Sequence, residues 1–102
     1  MPQNPIVPRP GGTSSKLNVT APTVIKATPG TVYRVVVVAA ATGGTFGIYD
    51  AATTGGASAT TAIFQAAASW PAAGTVLYLE FSCNTGIVVN PGTAGVVAVS
   101  FS

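Results

Sequence analysis

From Leu17 onward the chain reads as short apolar runs in which inward and outward positions alternate, each run closed by turn residues. Val, Ile, Thr, Tyr and Phe fill the runs, as a pleated and half-buried surface prefers. Eight strands are predicted, over residues 17–20, 23–28, 31–41, 45–50, 61–65, 75–83, 86–90 and 95–102. The segments TPGT, TGGT, TTGG, NTG and NPGT separate them. At Pro29 with Gly30, and at Pro91 with Gly92, a type II turn is expected, because Pro presets φ and Gly accepts a positive φ. Regular short strands with such punctuation predict an all-β fold. It is a single-domain antiparallel β-sandwich, jelly-roll-like, or a flattened barrel of about eight short strands.

The alternation assigns faces. In TVLYLEFSC, Leu77, Leu79, Phe81 and Cys83 share one side, while Tyr78, Glu80 and Ser82 share the other. In GVVAVSFS, Val97, Val99 and Phe101 face one way and Ala98, Ser100 and Ser102 the other. Cys83 therefore reads as a small core residue. The run YRVVVVAAATGG departs from this pattern. Val35 and Val37 fall on one face, Val36 and Val38 on the opposite one, and both faces are apolar. Both are expected to be covered, the second by a sheet, a loop or another subunit.

Residues 1–16 differ from the rest. Pro2, Pro5, Pro8 and Pro10 remove backbone donors and fix φ, which excludes helix and central strand. The segment is expected to be an extended, polyproline-like N-terminal arm ahead of a sandwich domain at 17–102. Two readings are open: a disordered tail, the usual fate of such termini, or an arm that lies along a neighbouring molecule with Ile6, Val7 and Arg9 as contacts. Trp70 sits in the small-residue loop AAASWPAAG and also has two readings. It folds back over an open end of the core, or it is an exposed contact anchor.

Composition sharpens the picture. Only 6% of residues are charged against 48% hydrophobic, where an average soluble domain carries about 25% charged residues. Arg9, Lys16, Lys26, Arg34, Asp50 and Glu80 are the whole set. Such a neutral surface suits a protein that is largely covered by partners. No run approaches the roughly 20 apolar residues of a spanning helix, so no membrane is expected. The N-terminus lacks the features of a signal peptide, and the single Cys83 fits a reducing compartment. A net charge of +2 is too small and scattered to imply nucleic acid.

Chemistry is sparse. The chain has no His, which removes Ser-His-Asp and Cys-His arrangements and most zinc sites. Asp50 and Glu80 form an acid pair only formally. Asp50 closes a predicted strand, where Asp bonds nearby backbone N–H groups, and Glu80 lies on an outward face beside Arg34 or Lys26. No enzyme activity, cofactor or metal is expected. Tyr33, Tyr49, Tyr78 and Trp70 would make a sugar platform only if they converged; aromatics at strand positions are more often packing.

The stretch VIKATPGTVYRVVV, followed by GTFGIYDAAT and LYLEFSCNTGIVVNPGTAGVVAVSFS, resembles a family of small virion proteins of tailed bacteriophages. The similarity covers residues 17–102, and its motifs bear on fold more than on role. The resemblance implies a small β-sandwich on the phage particle, and a capsid decoration or cement protein as its role. The partners it implies are the major capsid protein and further copies of this chain, a trimer favoured over a dimer, with strand-edge pairing as one means of contact. Val36, Val38, Trp70 and the arm residues Ile6, Val7 and Arg9 are the candidate contacts. The alternatives are another virion part (a head-fibre base, a tail component or a module that docks a host sugar) and a non-viral secreted adhesin or carbohydrate-binding module.

Overall fold

A computed structural model describes residues 14–102. Eight strands are present: β1 (Ser14–Val19), β2 (Thr23–Lys26), β3 (Gly30–Ala39), β4 (Gly43–Tyr49), β5 (Ala62–Ala66), β6 (Val76–Cys83), β7 (Ile87–Thr93) and β8 (Val96–Phe101). A single 3₁₀ turn, Thr54–Gly56, interrupts the β4–β5 connection. Each of the eight predicted strands has its counterpart. The boundary between arm and domain moves: Ser14, Ser15 and Lys16 pair with Phe101, Ser100 and Val99, so they belong to the sandwich. Ile6, Val7 and Arg9 lie outside the described residues.

The pairing follows one rule. β1 pairs with β8, β2 with β7, β3 with β6 and β4 with β5, all antiparallel. That is one long hairpin whose tip is the β4–β5 connection. Rolling it up sends alternate rungs to opposite sheets, joined by the β3–β8 and β4–β7 contacts. The two four-stranded sheets are ordered β1-β8-β3-β6 and β2-β7-β4-β5. This is the jelly-roll order, and the sandwich prediction holds.

The core lies between the sheets. Val32, Val35 and Val37 of β3 and Val97 and Val99 of β8 meet Phe46 and Ile48 of β4 and Ile87 and Val89 of β7. Phe46 packs edge-on against Phe64 of β5 at 5.8 Å between ring centroids. Val32 and Val35 both point inward despite their odd spacing, because the register against β8 slips between Val32 and Arg34. On β6 the same slip is taken up at Glu80, whose φ is 47°. Leu77, Leu79 and Cys83 face the core as alternation predicts. Phe81 pairs with inward-facing Val32 yet is 46% exposed, because β6 is an edge strand.

Among the described residues neither a sheet nor a loop covers the outward face of β3, so of the three covers expected only another subunit is left. Val38 is 59% exposed and Val36 half-buried. The doubly covered strand is β7, where Ile87, Val88 and Val89 are all fully buried. The β4–β5 connection supplies the second layer: Ala51 and Ala57 pack with Tyr49, Val24 and Ala62 around Val88. Both runs are continuous apolar sequence, and periodicity alone does not show which one a loop will cover.

The two Pro-Gly segments also diverge. Neither closes a hairpin: Pro29 and Gly30 carry the chain from β2 in one sheet into β3 in the other, whereas Pro91 and Gly92 lie within β7, where its register against β4 shifts. Gly92 has φ 80°, as a type II turn requires, whereas Gly30 is not among the positive-φ glycines. Gly30 is needed for space instead: a Cβ there would come within 2.4 Å of the Ser102 carbonyl oxygen.

Two outcomes follow from this packing. Val88→Ser should lower unfolding free energy by about 2–3 kcal/mol, from lost burial and a new buried hydroxyl. Val38→Ser should stay within about 0.5 kcal/mol. Urea melts of the two variants give the comparison, and equal effects would contradict the assignment of the covered strand. Cys83 is buried, and its thiol is pushed up to about 11, first by burial and then by the negative charge of Asp50. A disulfide reagent near pH 8 should label it only after denaturation, and rapid labelling of native protein would contradict the placement.

Candidate interaction surface

Among the described residues, the outward face of the β1-β8-β3-β6 sheet has no second layer. Register sets its rows. Ser15, Ser100, Arg34 and Tyr78 lie side by side across the four strands. In the next row Ala98, Val36 and Val76 are neighbours. Leu17 is 69% exposed and Tyr78 70% exposed, so large apolar side chains stand towards solvent on both flanking strands. Small residues in between leave a shallow groove of about 270 Å³ lined by Ser15, Leu17, Arg34, Val36, Ala98 and Ser100.

Arg34 is the one cation in this groove. Its guanidinium carbon lies 5.2 Å from the centroid of the Tyr78 ring. That cation–π contact places the charge over the Tyr78 ring. Arg34 Nε and Ser100 Oγ are buried here and have no hydrogen-bond partner among the described residues. An aromatic and aliphatic patch with a single Arg has the composition of a contact surface.

The sheet edges are less suited to contact. β1 is bulged between Lys16 and Val19, with Asn18 at φ 55°, and β6 carries Glu80 at φ 47°. Bulges bend an edge and break the row of donors and acceptors that strand addition needs. In the other sheet, edge strands β2 and β5 are only 4 and 5 residues long. The exposed apolar side chains Leu17, Val38 and Tyr78 therefore stand on the face and not in an open edge ladder.

Of the residues singled out from sequence, Val36 and Val38 lie on this face. Trp70 lies elsewhere. It packs against the core, and its Nε1 donates to the Gly44 carbonyl at 3.1 Å, so it is the folded-back loop aromatic of its two readings. The four aromatics do not converge: Tyr49 is buried under the β4–β5 connection and accepts a bond from Gln65 Nε2 at 3.2 Å. Leu17, Arg34 and Tyr78 are additional residues of the face. Alternation already placed Tyr78 outward; only the β1–β8 pairing brings Leu17 to the same surface.

Asp50 has a structural role at the opposite corner. It accepts backbone N–H bonds from Asn84 at 3.0 Å, Thr85 at 2.8 Å and Gly86 at 3.3 Å. The sequence reading expected nearby donors; the donors lie more than thirty residues along the chain and tie β4 to the β6–β7 turn. Burial pushes the carboxyl up, but the three N–H donors together outweigh it and hold the group below its ordinary value of 3.8. Compared with known proteins, the chain matches no family model, no curated protein and no solved structure.

Because the native carboxyl titrates below its unfolded value, its contribution is complete above about pH 4 and fades as pH falls through the lower native value. Asp50→Ala should cost about 1–3 kcal/mol at pH 7 by leaving N–H groups unpaired. The gap between wild type and variant should narrow below pH 4. Denaturant melts at pH 7, 5 and 3 test this, and a gap independent of pH would contradict it.

Proposed function

We propose that this protein is a non-enzymatic structural component of a tailed-bacteriophage virion, a decoration protein that binds the outside of the capsid and stabilises it. The observation that supports the reading best is the open apolar face of the β1-β8-β3-β6 sheet, with Leu17, Val36, Val38 and Tyr78 on a sandwich that is nearly free of charge. The resemblance of residues 17–102 to small phage virion proteins points the same way. The major capsid protein is the partner for that face, and further copies of this chain, as trimers over threefold positions, are the second partner.

The physics suits a repetitive lattice. A neutral surface lets many copies crowd without mutual repulsion. Each contact need only be modest, because an oligomer that holds several shell subunits at once gains through effective concentration.

Quantitative mass spectrometry of purified particles tests the reading. Copies comparable to the major capsid protein are expected. A handful of copies would move the protein to a tail, fibre or vertex, and absence from particles would end the virion reading. Val38→Asp combined with Tyr78→Ser should reduce binding to depleted particles by at least about tenfold, through a charge set into an apolar contact and the loss of a Tyr, a residue type enriched among hot spots. Unchanged binding by the folded variant would exclude this face as the contact.

A further inference from the structure

We propose that the cleft between edge strands β5 and β6 binds a neutral pyranose, the ring of a sugar with free hydroxyls. The proposal is independent of the decoration reading, because this cleft lies where the sandwich opens at its side and not on the outward face of the β1-β8-β3-β6 sheet. Its volume is about 400 Å³, with Asp50, Thr60, Ile63, Phe81, Asn84 and Thr85 in its lining. Sites that hold small molecules fall in this range.

The chemistry of the lining selects the ligand. Phe81 faces the interior side of its strand but stands at the open edge, so nearly half of an aromatic side chain meets water inside a cleft of mixed polar and apolar lining. The C–H face of a pyranose would cover it. Beside it Asp50 is held rigidly by its three backbone donors. An ionised carboxylate has about four lone-pair positions. Oδ1 receives two N–H groups and Oδ2 one, which leaves a position on Oδ2 for a ligand hydroxyl. The Asn84 amide and the Thr85 hydroxyl, on the same turn, both donate and accept, as adjacent sugar hydroxyls do.

Other ligand classes fit less well. An anion would meet the Asp50 carboxylate, and no Lys or Arg lines the cleft among the described residues. A metal ion would want several carboxylate, thiol or imidazole ligands, and among the described residues no three such groups lie together. A wholly apolar ligand would strip water from Asp50, Asn84 and the threonines without replacing their bonds. A ligand with one apolar face and a rim of hydroxyls answers each group.

The test uses the full chain, ¹⁵N-labelled, titrated with the methyl α-pyranosides of glucose, galactose, mannose and N-acetylglucosamine. Concentrations up to about 50 mM reach the millimolar Kd expected for one sugar ring. At least one should give saturable amide shifts centred on Ile63, Phe81, Asn84 and Thr85. Phe81→Ser should weaken that binding by roughly tenfold, the scale of a lost aromatic contact. Asn84→Ala, on an exposed turn, should weaken it too while leaving the thermal melt unchanged. No saturable shift with any of the four sugars, shifts centred on Trp70 or elsewhere, or full binding by both variants would overturn the proposal.

Discussion

Two stacked sheets have four faces, and each must meet either another layer or water. The two inner faces of this sandwich cover each other, with the valines of β3 and β8 against Phe46, Ile48, Ile87 and Val89. A third face, outside β7 and β4, is apolar at Tyr49 and Val88 and is covered by the β4–β5 connection. Among the described residues no connection is laid over the fourth: the β5–β6 connection folds Trp70 back against the core instead. Most of the other links merely cross between sheets at the ends of the sandwich, as the rolled hairpin requires. The open face with Leu17, Val36, Val38 and Tyr78 is the remainder of that layering. In a protein with six charged residues, it is also the surface where apolar contact is cheapest to extend outward.

The rolled hairpin explains where precision is needed. Pairings such as β1 with β8 join the two ends of the described chain, so loop-closure entropy opposes them until late partners are in place. Fixed points then matter. Asp50 ties the end of β4 to the β6–β7 turn through three backbone donors. Trp70 bonds the β5–β6 connection to Gly44 at the start of β4. Gly30 lets the strand start approach the Ser102 carbonyl. Each device acts between segments far apart in sequence.

The two surfaces proposed for recognition differ in kind. The outward face is broad, apolar and almost neutral, which suits a flat partner met many times over. The side cleft is narrow and mixes one aromatic ring with a fixed carboxylate and amide, which suits a small hydroxylated ligand. They lie on different parts of the sandwich, with no lining residue in common.

Sequence by itself determined the strands and the scarcity of acid–base chemistry. Period-2 alternation and β-branched composition are local properties, and all eight strands could be read from them. The inward positions of Val97, Val99, Leu77 and Cys83 were equally legible, since a strand side chain points to one of only two sides. Val36 and Val38 could be placed on the face opposite Val35 and Val37 for the same reason. Tertiary structure decided the rest. Which apolar run is covered twice depended on where the β4–β5 connection came to lie, and that favoured Val88 over Val38. The bulges at Asn18 and Glu80 arise from pairing registers between strands far apart in sequence. Leu17 joins the contact face, and Asp50 meets Asn84 and Thr85, only after the hairpin has rolled. Local pattern sets which side a residue faces; what waits on that side is set by the partner strand and the loop above it.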